Sequence, residues 1–449
     1  MKRGVDQMTK EDVLKKVRDK DVKFIQFWFT DVLGMLKSFT VSPSELEVGM
    51  NEGMGFDGSS IEGFARIEES DMIAMPDPAT FAVIPWLSNS DSSAVARMFC
   101  DIQTPDGKPY EGDPRYVFKK MLKRAADMGF EFYVGPELEY FYLEDSGSAP
   151  STLDKGGYFD IAPTDMGDDL RRKTVQTLQA MGINVEYSHH EVAPSQHEID
   201  LKYCEGLKMA DTVMTYRIVV KEIAAKNNVY ATFMPKPIMG ENGSGMHVHQ
   251  SLFSDSRNRM YDETKEHNLS DIARHYIAGL LKHAREITVV TNQWVNSYKR
   301  LVPGYEAPVY ISWARRNRST LVRVPMYKPG KEMATRLEYR SPDPACNPYL
   351  TFAVMLAAGL EGVEKKYSLP DPVEEDIYKM SRERRKELGI RALPGSLVEA
   401  IQEVENSAVV KKALGEHTFN KFVENKKVER NLYRRHVSKY ELERYLPIL

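Results

Sequence analysis

Short runs of β-forming residues dominate the first hundred positions of the chain, and longer helical runs take turns with strands after that. Residues 9–19 predict a short helix, with Thr9 as its N-cap and Asp12 in its first turn. Val22–Thr30 is rich in β-formers, Asp31–Gly34 supplies a turn and Met35–Val41 returns, which predicts a hairpin. Ala79–Trp86 and Ala94–Asp101 predict further strands, so this part reads as a small mixed β domain. A boundary falls near residues 103–114, where Thr104–Gly107 forms a turn and Glu111–Pro114 a loop entering a helix at 115–128.

Beyond it, strand 131–143 precedes a Gly/Ser/Pro loop at 145–157. Helix 167–181, strands 183–189 and 196–202, helix 208–226, strands 229–234 and 245–253, and helices 270–291 and 347–365 follow. This alternation predicts an α+β chain with a large α/β second domain, ending in about 80 mainly helical, charged residues.

Composition narrows the class. The chain has 449 residues, 42% hydrophobic and 28% charged, as soluble globular proteins do. With 61 basic against 65 acidic residues the net charge is −4, which gives no reason to expect direct nucleic-acid binding. Cys100, Cys204 and Cys346 are far apart, which argues against a disulfide framework or a Cys-ligated zinc and fits a reducing, cytoplasmic setting. There is no apolar run of about 18 residues for a membrane span, and the first residues lack the apolar core of a signal peptide.

Acidic and imidazole side chains recur within the predicted strands. Glu137 and Glu139 lie two apart in Val134–Leu143, so both point to one face. Two carboxylates on one face repel each other unless a cation lies between them. His247 and His249 share a face by the same rule, and His189–Glu198 is dense in oxygen and imidazole ligands. Such donors suit hard or borderline divalent ions, and a polynuclear metal site is the first functional expectation. Arg336, Glu338 and Arg340 alternate on another strand, which suits the bidentate binding of anionic substrates and equally a surface ladder of ion pairs. Asn242–Gly245 is a glycine-rich turn ahead of the His-x-His strand, and Pro303-Gly304 with Pro308 marks a shaped loop suited to gating. Neither a Walker A loop nor a Rossmann fingerprint is present, so nicotinamide chemistry is disfavoured.

These segments resemble a known family. Phe56–Ile61, the Glu137/Glu139 strand, His190–Glu198, Asn242–Ser251, Asn296–Pro308, Asn317–Ser319 and Arg336–Leu350 together are similar to type I glutamine synthetases of bacteria and archaea, over nearly the whole chain. The resemblance implies a small β-grasp domain at residues 20–105 and a glutamine-synthetase catalytic domain at 112–449. It implies a homo-oligomer, a dodecamer of two hexameric rings with active sites shared between neighbours. It implies ATP-dependent ligation of ammonia to the γ-carboxylate of glutamate through γ-glutamyl phosphate, giving glutamine, ADP and phosphate, with two or more Mg2+ or Mn2+ ions per site.

By the same resemblance, Glu139, Glu191 and Glu198 would hold one metal and Glu137, His247 and Glu338 the other. Asn242, Gly243, Arg300, Glu306 and Arg340 would meet glutamate. Glu186, His249, Gln250, Ser251, Arg318 and Arg323 would meet the nucleotide, and Arg318 would stabilise the transferring group. Asp57 with Ser60 would come from a neighbouring subunit to bind and deprotonate ammonium, Tyr158 would line that pocket, and Glu306 would shield the acyl phosphate from water.

Other features bear on regulation by metabolites or small proteins. A lysine that some family members carry five positions before the last metal glutamate is Met333 here, with Lys331 nearby. Tyr378 lacks the context of the adenylylated branch and reads as an ordinary loop tyrosine. Ile61–Asp71 resembles the branch inhibited by glutamine, where Arg66 would transmit inhibition; a surface ion pair of Arg66 with Glu68 or Glu69 is the other reading. Two other functions stay open: a ligase joining glutamate to a small amine, and a non-catalytic scaffold, which the full set of six metal ligands disfavours.

Overall fold

The computed structural model describes residues 8–63, 71–88 and 94–449, so Arg66 lies outside the described residues. Helix α1 (Lys10–Asp19) starts at Thr9, whose hydroxyl accepts from Asp12 N while the Asp12 carboxylate accepts from Thr9 N, a reciprocal capping box. β1 (Val22–Thr30) and β2 (Leu36–Val41) form the expected antiparallel hairpin. Helix α2 (Leu46–Glu52), β3 (Met54–Asp57), β4 (Asp71–Pro76), β5 (Ala82–Val83) and β6 (Ala94–Gln103) complete the small domain. Its sheet runs β2-β1-β6-β4-β3 with β5 on β6, and β1 and β6 are parallel. Alternation along β1 sends Ile25 and Phe27 to a core with Val13, Val17, Leu46 and Met50, and Trp28 to the larger core on the other side.

The strand expected at Ala79–Trp86 is not one strand. Pro78–Thr80 and Pro85–Leu87 are 3-10 turns on either side of the two-residue β5. Pro78 and Pro85 each fix φ and remove an N–H, so the run cannot continue a ladder.

The large domain opens with α3 (Pro114–Asp127) and the long strand β7 (Glu131–Leu143). Then come α4 (Asp168–Ala180), β8 (Val185–His190), β9 (Gln196–Leu201), β10 (Cys204–Glu205), α5 (Gly206–Lys226) and β11 (Tyr230–Thr232). They are followed by β12 (Met246–Ser254), β13 (Arg257–Asn258), α6 (Asp271–Thr291), α7 (Ser297–Arg300), β14 (Tyr310–Ala314), β15 (Thr320–Arg323) and β16 (Leu337–Tyr339). Its sheet runs β14-β15-β16-β12-β7-β9-β8, with β10 and β11 also on β7 and β13 on β12. Helix α8 (Pro348–Lys365) is buried all round, from Tyr349 to Leu360, and packs with α5 and α6 behind the sheet. Five helices, α9 (Arg382–Glu387), α10 (Leu397–Glu405), α11 (Ala408–Leu414), α12 (Glu416–Arg434) and α13 (Lys439–Tyr445), end the chain as the charged helical pattern predicts.

Buried polar contacts join the domains. Arg115 on α3 bonds Asp77 and Asp101 of the small domain and Asp211 of α5. Gln293 donates to Leu33 O, and Asn347 to Asp31 O and Val32 O. No helix among the described residues is long and apolar enough to cross a membrane.

Candidate metal and anion cleft

Strand register builds the site. β7 lies between β9 and β12, with Glu137 opposite His247 and Glu139 opposite Glu198. Further out, His249 faces Glu338, Arg323 faces Glu338, and His189 faces Glu198. Side chains at opposed positions point to one face, so five strands deliver acids and imidazoles to a single cleft of about 590 Å³.

His247 is its hub. Nδ1 lies 3.3 Å from Glu137 Oε2 and 3.8 Å from Glu338 Oε1, and Nε2 lies 4.0 Å from Glu139 Oε1. Burial, then Arg340, holds the imidazole below its usual range, so it is neutral and able to ligate. Burial would raise Glu338, but Arg340, whose Nη1 lies 2.6 Å away, and the imidazoles of His249 and His247 outweigh it and hold it at about 2; Arg323 Nε also donates to this carboxylate. No arginine bonds Glu139 among the described residues. Its Oε2 accepts from Gln196 Nε2 and Gly245 N, each at 2.9 Å, and burial followed by Glu191 pushes it up to about 8, although the charges of Arg300 and Arg340 pull its pKa down in part. Burial, followed by Asp200, Glu137, Glu139 and Glu191, drives Glu198 well above the carboxylate range. Carboxylates that raise one another in a cleft fit a bound divalent cation. Ligand atoms within 4.8 Å of one another form three sets facing this cleft: Glu137–Glu198–His247, Glu137–His249–Glu338 and His189–Glu191–Glu198.

Arginines share the cleft with the acids. Arg300, Arg316, Arg318, Arg323 and Arg340 line the cleft with Asn242, Gly243, Tyr158 and Glu306. Arg300 is buried, with Nη1 donating to Ser341 O at 2.6 Å. Its seat requires glycine at two positions: a Cβ on Gly245 would sit 2.5 Å from Arg300 Nη2, and one on Gly243 would sit 2.3 Å from Pro235 O. Glu306 has φ of 58°, a left-handed conformation that costs a side-chain residue about 1 kcal/mol or more and marks a shaped loop.

Some expected residues lie elsewhere. His249 is buried, its Nε2 2.7 Å from Glu137 Oε1 and its Nδ1 accepting from Arg336 Nε at 3.1 Å, so it stands with the candidate metal ligands. The expectation for Gln250 is corrected: alternation turns its side chain to the opposite face, where its Oε1 accepts from Tyr276 OH at 2.8 Å inside the core. Glu186 is exposed on β8 and Ser251 bonds Thr335 O; neither lines the cleft. Asp57 and Ser60 are exposed on the small domain, where Asp57 Oδ1 accepts from Ser59 N at 2.9 Å, and they do not line this chain's cleft. Met333 and Lys331 do not line it either.

Sequence reading overlooked Tyr187 and Tyr305, gave His189 and Gln196 no role beyond their ligand-dense stretch and took Tyr378 for an ordinary loop residue, yet all five are in the lining. Tyr378 is more than a plain loop tyrosine: its hydroxyl donates to Ala307 O and tethers the Glu306 loop. His189 was legible as the neighbour of Glu198 in the acidic stretch, whereas Tyr305 and Tyr378 come from loops with no periodicity to flag them.

The acids, imidazoles and arginines thus define a cleft with the donors to hold divalent cations and anionic groups on a mixed sheet, with a small β domain attached. The signature "Glutamine synthetase, catalytic domain" matches residues 111–445, and "Glutamine synthetase, beta-Grasp domain" matches 21–105. The chain is 53% identical over 442 residues to glutamine synthetase of Mycolicibacterium smegmatis, covering 98% of this chain and 99% of that one. It is 52% identical over 444 residues to that of Methanosarcina mazei, covering 98% of both. A solved GmaS/ADP complex superposes with a TM-score of 0.88 at 30% identity, over 97% of this chain and 99% of that one. The chain belongs to the glutamine synthetase family.

Proposed function

We infer that the chain is a cytoplasmic glutamine synthetase, of the type I branch that is not adenylylated. It joins ammonia to the γ-carboxylate of glutamate at the expense of ATP, through γ-glutamyl phosphate. The observation that carries this reading is the single cleft in which Glu137, Glu139, Glu198, His247 and Glu338 face Arg300, Arg318, Arg323 and Arg340.

Glu139, Glu191 and Glu198 would hold one Mg2+ or Mn2+, and Glu137, His247 and Glu338 a second; the donor atoms that converge are those of His189–Glu191–Glu198, Glu137–Glu198–His247 and Glu137–His249–Glu338, so His189 stands close enough to join the first set and His249 the second. When bound, the ions gather the nucleotide oxygens and screen phosphate charge. Arg300, Arg340, Asn242 and Gly243 orient glutamate, their arginines placed by main-chain and carboxylate contacts before substrate arrives. Arg318 and Arg323 meet the phosphates, and Arg318, which is exposed at the cleft, moves to the charge that develops on transfer. Glu306, on its tethered loop, excludes water from the acyl phosphate. Glu186 and Ser251 flank the nucleotide.

Ammonium is not a nucleophile until a base takes its proton. Asp57, with Ser60, does so in a neighbour's site, against Tyr158; that both are exposed and outside their own cleft supports a shared site in a dodecamer of two hexameric rings. Arg66, a few residues on, would transmit feedback inhibition by glutamine.

The test is phosphate release with glutamate, ATP and Mg2+, with ammonia compared against small amines. Ammonia should be preferred, with glutamine as product; equal or better turnover of an amine would replace the reading by amine ligation. Inactive Asp57→Ala and Arg340→Ala subunits should regain activity when mixed in one oligomer, and mixtures that stay dead would place the site within one subunit. Arg66→Ala should weaken inhibition by glutamine at unchanged turnover, whereas an inhibition curve overlaying wild type would end its regulatory role.

A further inference from the structure

One acidic residue outside the cleft lining is held by four partners. Glu62 is 3% exposed and follows the Asp57–Ile61 turn directly. Its Oε1 accepts from Tyr110 OH and lies 3.0 Å from His417 Nε2, and its Oε2 lies 3.0 Å from Lys421 Nζ. Its main-chain O accepts from Asn425 Nδ2 at 2.9 Å. His417, Lys421 and Asn425 are spaced by four on α12, so one helix face grips one residue by both carboxylate and carbonyl.

That helix is a fixed support. Lys426, fully buried, donates to Gln293 O at 3.0 Å and to Glu429 Oε2 at 2.8 Å, and Glu429 Oε1 accepts from Val295 N at 2.8 Å. Val32 N, from the small domain's hairpin, donates to Ile61 O at 2.8 Å on the loop side of Glu62. The small-domain turn is therefore clamped to the large domain at a point just after Asp57 and Ser60, whose own side chains are exposed.

We propose that Glu62 is a positioning residue for ammonium use: α12, through His417, Lys421 and Asn425, sets the Asp57–Ser60 turn by holding Glu62. This rests on the reading of Asp57 as the ammonium base. A carboxylate buried between a phenol, an imidazole and an ammonium fixes its chain position more tightly than an apolar residue, because any displacement leaves charge uncompensated. A base displaced by about 1 Å loses proton transfer without affecting nucleotide or glutamate binding.

The experiment is steady-state kinetics on the full-length enzyme for Glu62→Gln, Lys421→Met, Lys421→Arg and the double variant Glu62→Gln/Lys421→Met, with Asp57→Ala alongside. Glu62→Gln should raise KM for ammonium about tenfold and leave KM for ATP and glutamate within about twofold. Lys421→Met should do the same more weakly, Lys421→Arg should restore wild-type behaviour, and the double variant should be no worse than Glu62→Gln. If Glu62→Gln fails to fold, Lys421→Met, a change at a partly exposed side chain, decides the matter by itself. An unchanged KM for ammonium, or KM values and kcat that all shift together with a fall in Tm, overturns the proposal. If Asp57→Ala itself leaves ammonium use intact, the reading of the base fails; if only the Glu62 and Lys421 variants do so, the proposal fails alone.

Discussion

Strands β8 and β9 carry two acid–imidazole clusters back to back. On the cleft face His189 opposes Glu198, with Glu139 and Glu191 beside them; on the other face His190 opposes His197, with Asp154 and Asp165 beside them. Both clusters have metal-like donor sets, but among the described residues only the rear one has an arginine bonded into it. Arg171 Nη1 lies 3.0 Å from Asp165 Oδ1 and 2.8 Å from His197 Nδ1, and Nη2 lies 2.5 Å from Asp165 Oδ2. Burial raises Asp154, yet His190 and the Ser195 N–H outweigh it and hold its carboxyl well below the usual range. At the front, Glu198 is driven up by burial and other carboxylates, and no arginine bonds Glu139 or Glu198 among the described residues. Around β8 and β9 the same residue types thus serve structure where a bonded guanidinium completes them, and lie open to an added cation where no arginine bonds them; Glu338, which Arg323 and Arg340 bond at the far side of the cleft, lies outside this contrast.

The comparison breaks most sharply at Glu139. Glu139→Gln keeps an oxygen for the Gln196 and Gly245 donors but removes a charge that only an added cation satisfies. Activity should fall by at least about 10³-fold, while metal-free stability stays level or rises because repulsion is relieved. Divalent cation should raise the Tm of wild type more than that of the variant. Full activity in Glu139→Gln, or equal metal-induced shifts, would remove Glu139 from the metal set.

The rear cluster should respond in the opposite way. Arg171→Met leaves buried Asp165 without its cation and His197 without a donor, a loss of about 3–5 kcal/mol. The urea midpoint should drop severely, and added divalent cation should not restore it. Restoration by metal would mean that the rear cluster too is a cation site that Arg171 merely occupies.

The division between the two faces was partly legible in the sequence. Period two in Glu137/Glu139 and His247/His249 fixed which side chains share a face, and the strands formed where that pattern lies. The long helices also began and ended within a few residues of expectation, because helical spacing over about twenty residues leaves little freedom. Gln250 was misread because the resemblance supplied a neighbourhood, whereas alternation, already visible, excludes its side chain from that face. The rear network was not legible: Asp154 and Asp165 lie in a loop whose path back to His190 and His197 no local period encodes. The short strands β3, β4, β14 and β15 went unread because runs of four to six residues carry too little alternation to mark a strand, although β3 pairs with β4 and β14 with β15 close by in sequence.

Asp31 sharpens the comparison at its small end, as a buried carboxylate that has backbone hydrogen bonds and only a loose ion pair with Lys37. It is 3% exposed, Oδ1 accepts from Leu33 N at 3.0 Å and Met35 N at 2.8 Å, and Lys37 Nζ stays 3.8 Å from Oδ2. Burial pushes it from 3.8 up to about 6, with the amides and Lys37 only partly opposing that rise. The folded pKa lies above the unfolded one, so between them the folded state holds the extra proton. Stability from this group is therefore complete below about pH 4 and is lost as pH rises through about 6. Asp31→Asn keeps the Oδ1 acceptor and cannot ionise. Relative to the variant, wild type should lose about 1–2 kcal/mol between pH 4.5 and 7.5, read from urea midpoints at each pH. Parallel curves for the two proteins would mean that backbone amides and a distant lysine satisfy a buried carboxylate, and the lack of a bonded arginine would then not be what separates the front of β8–β9 from its back.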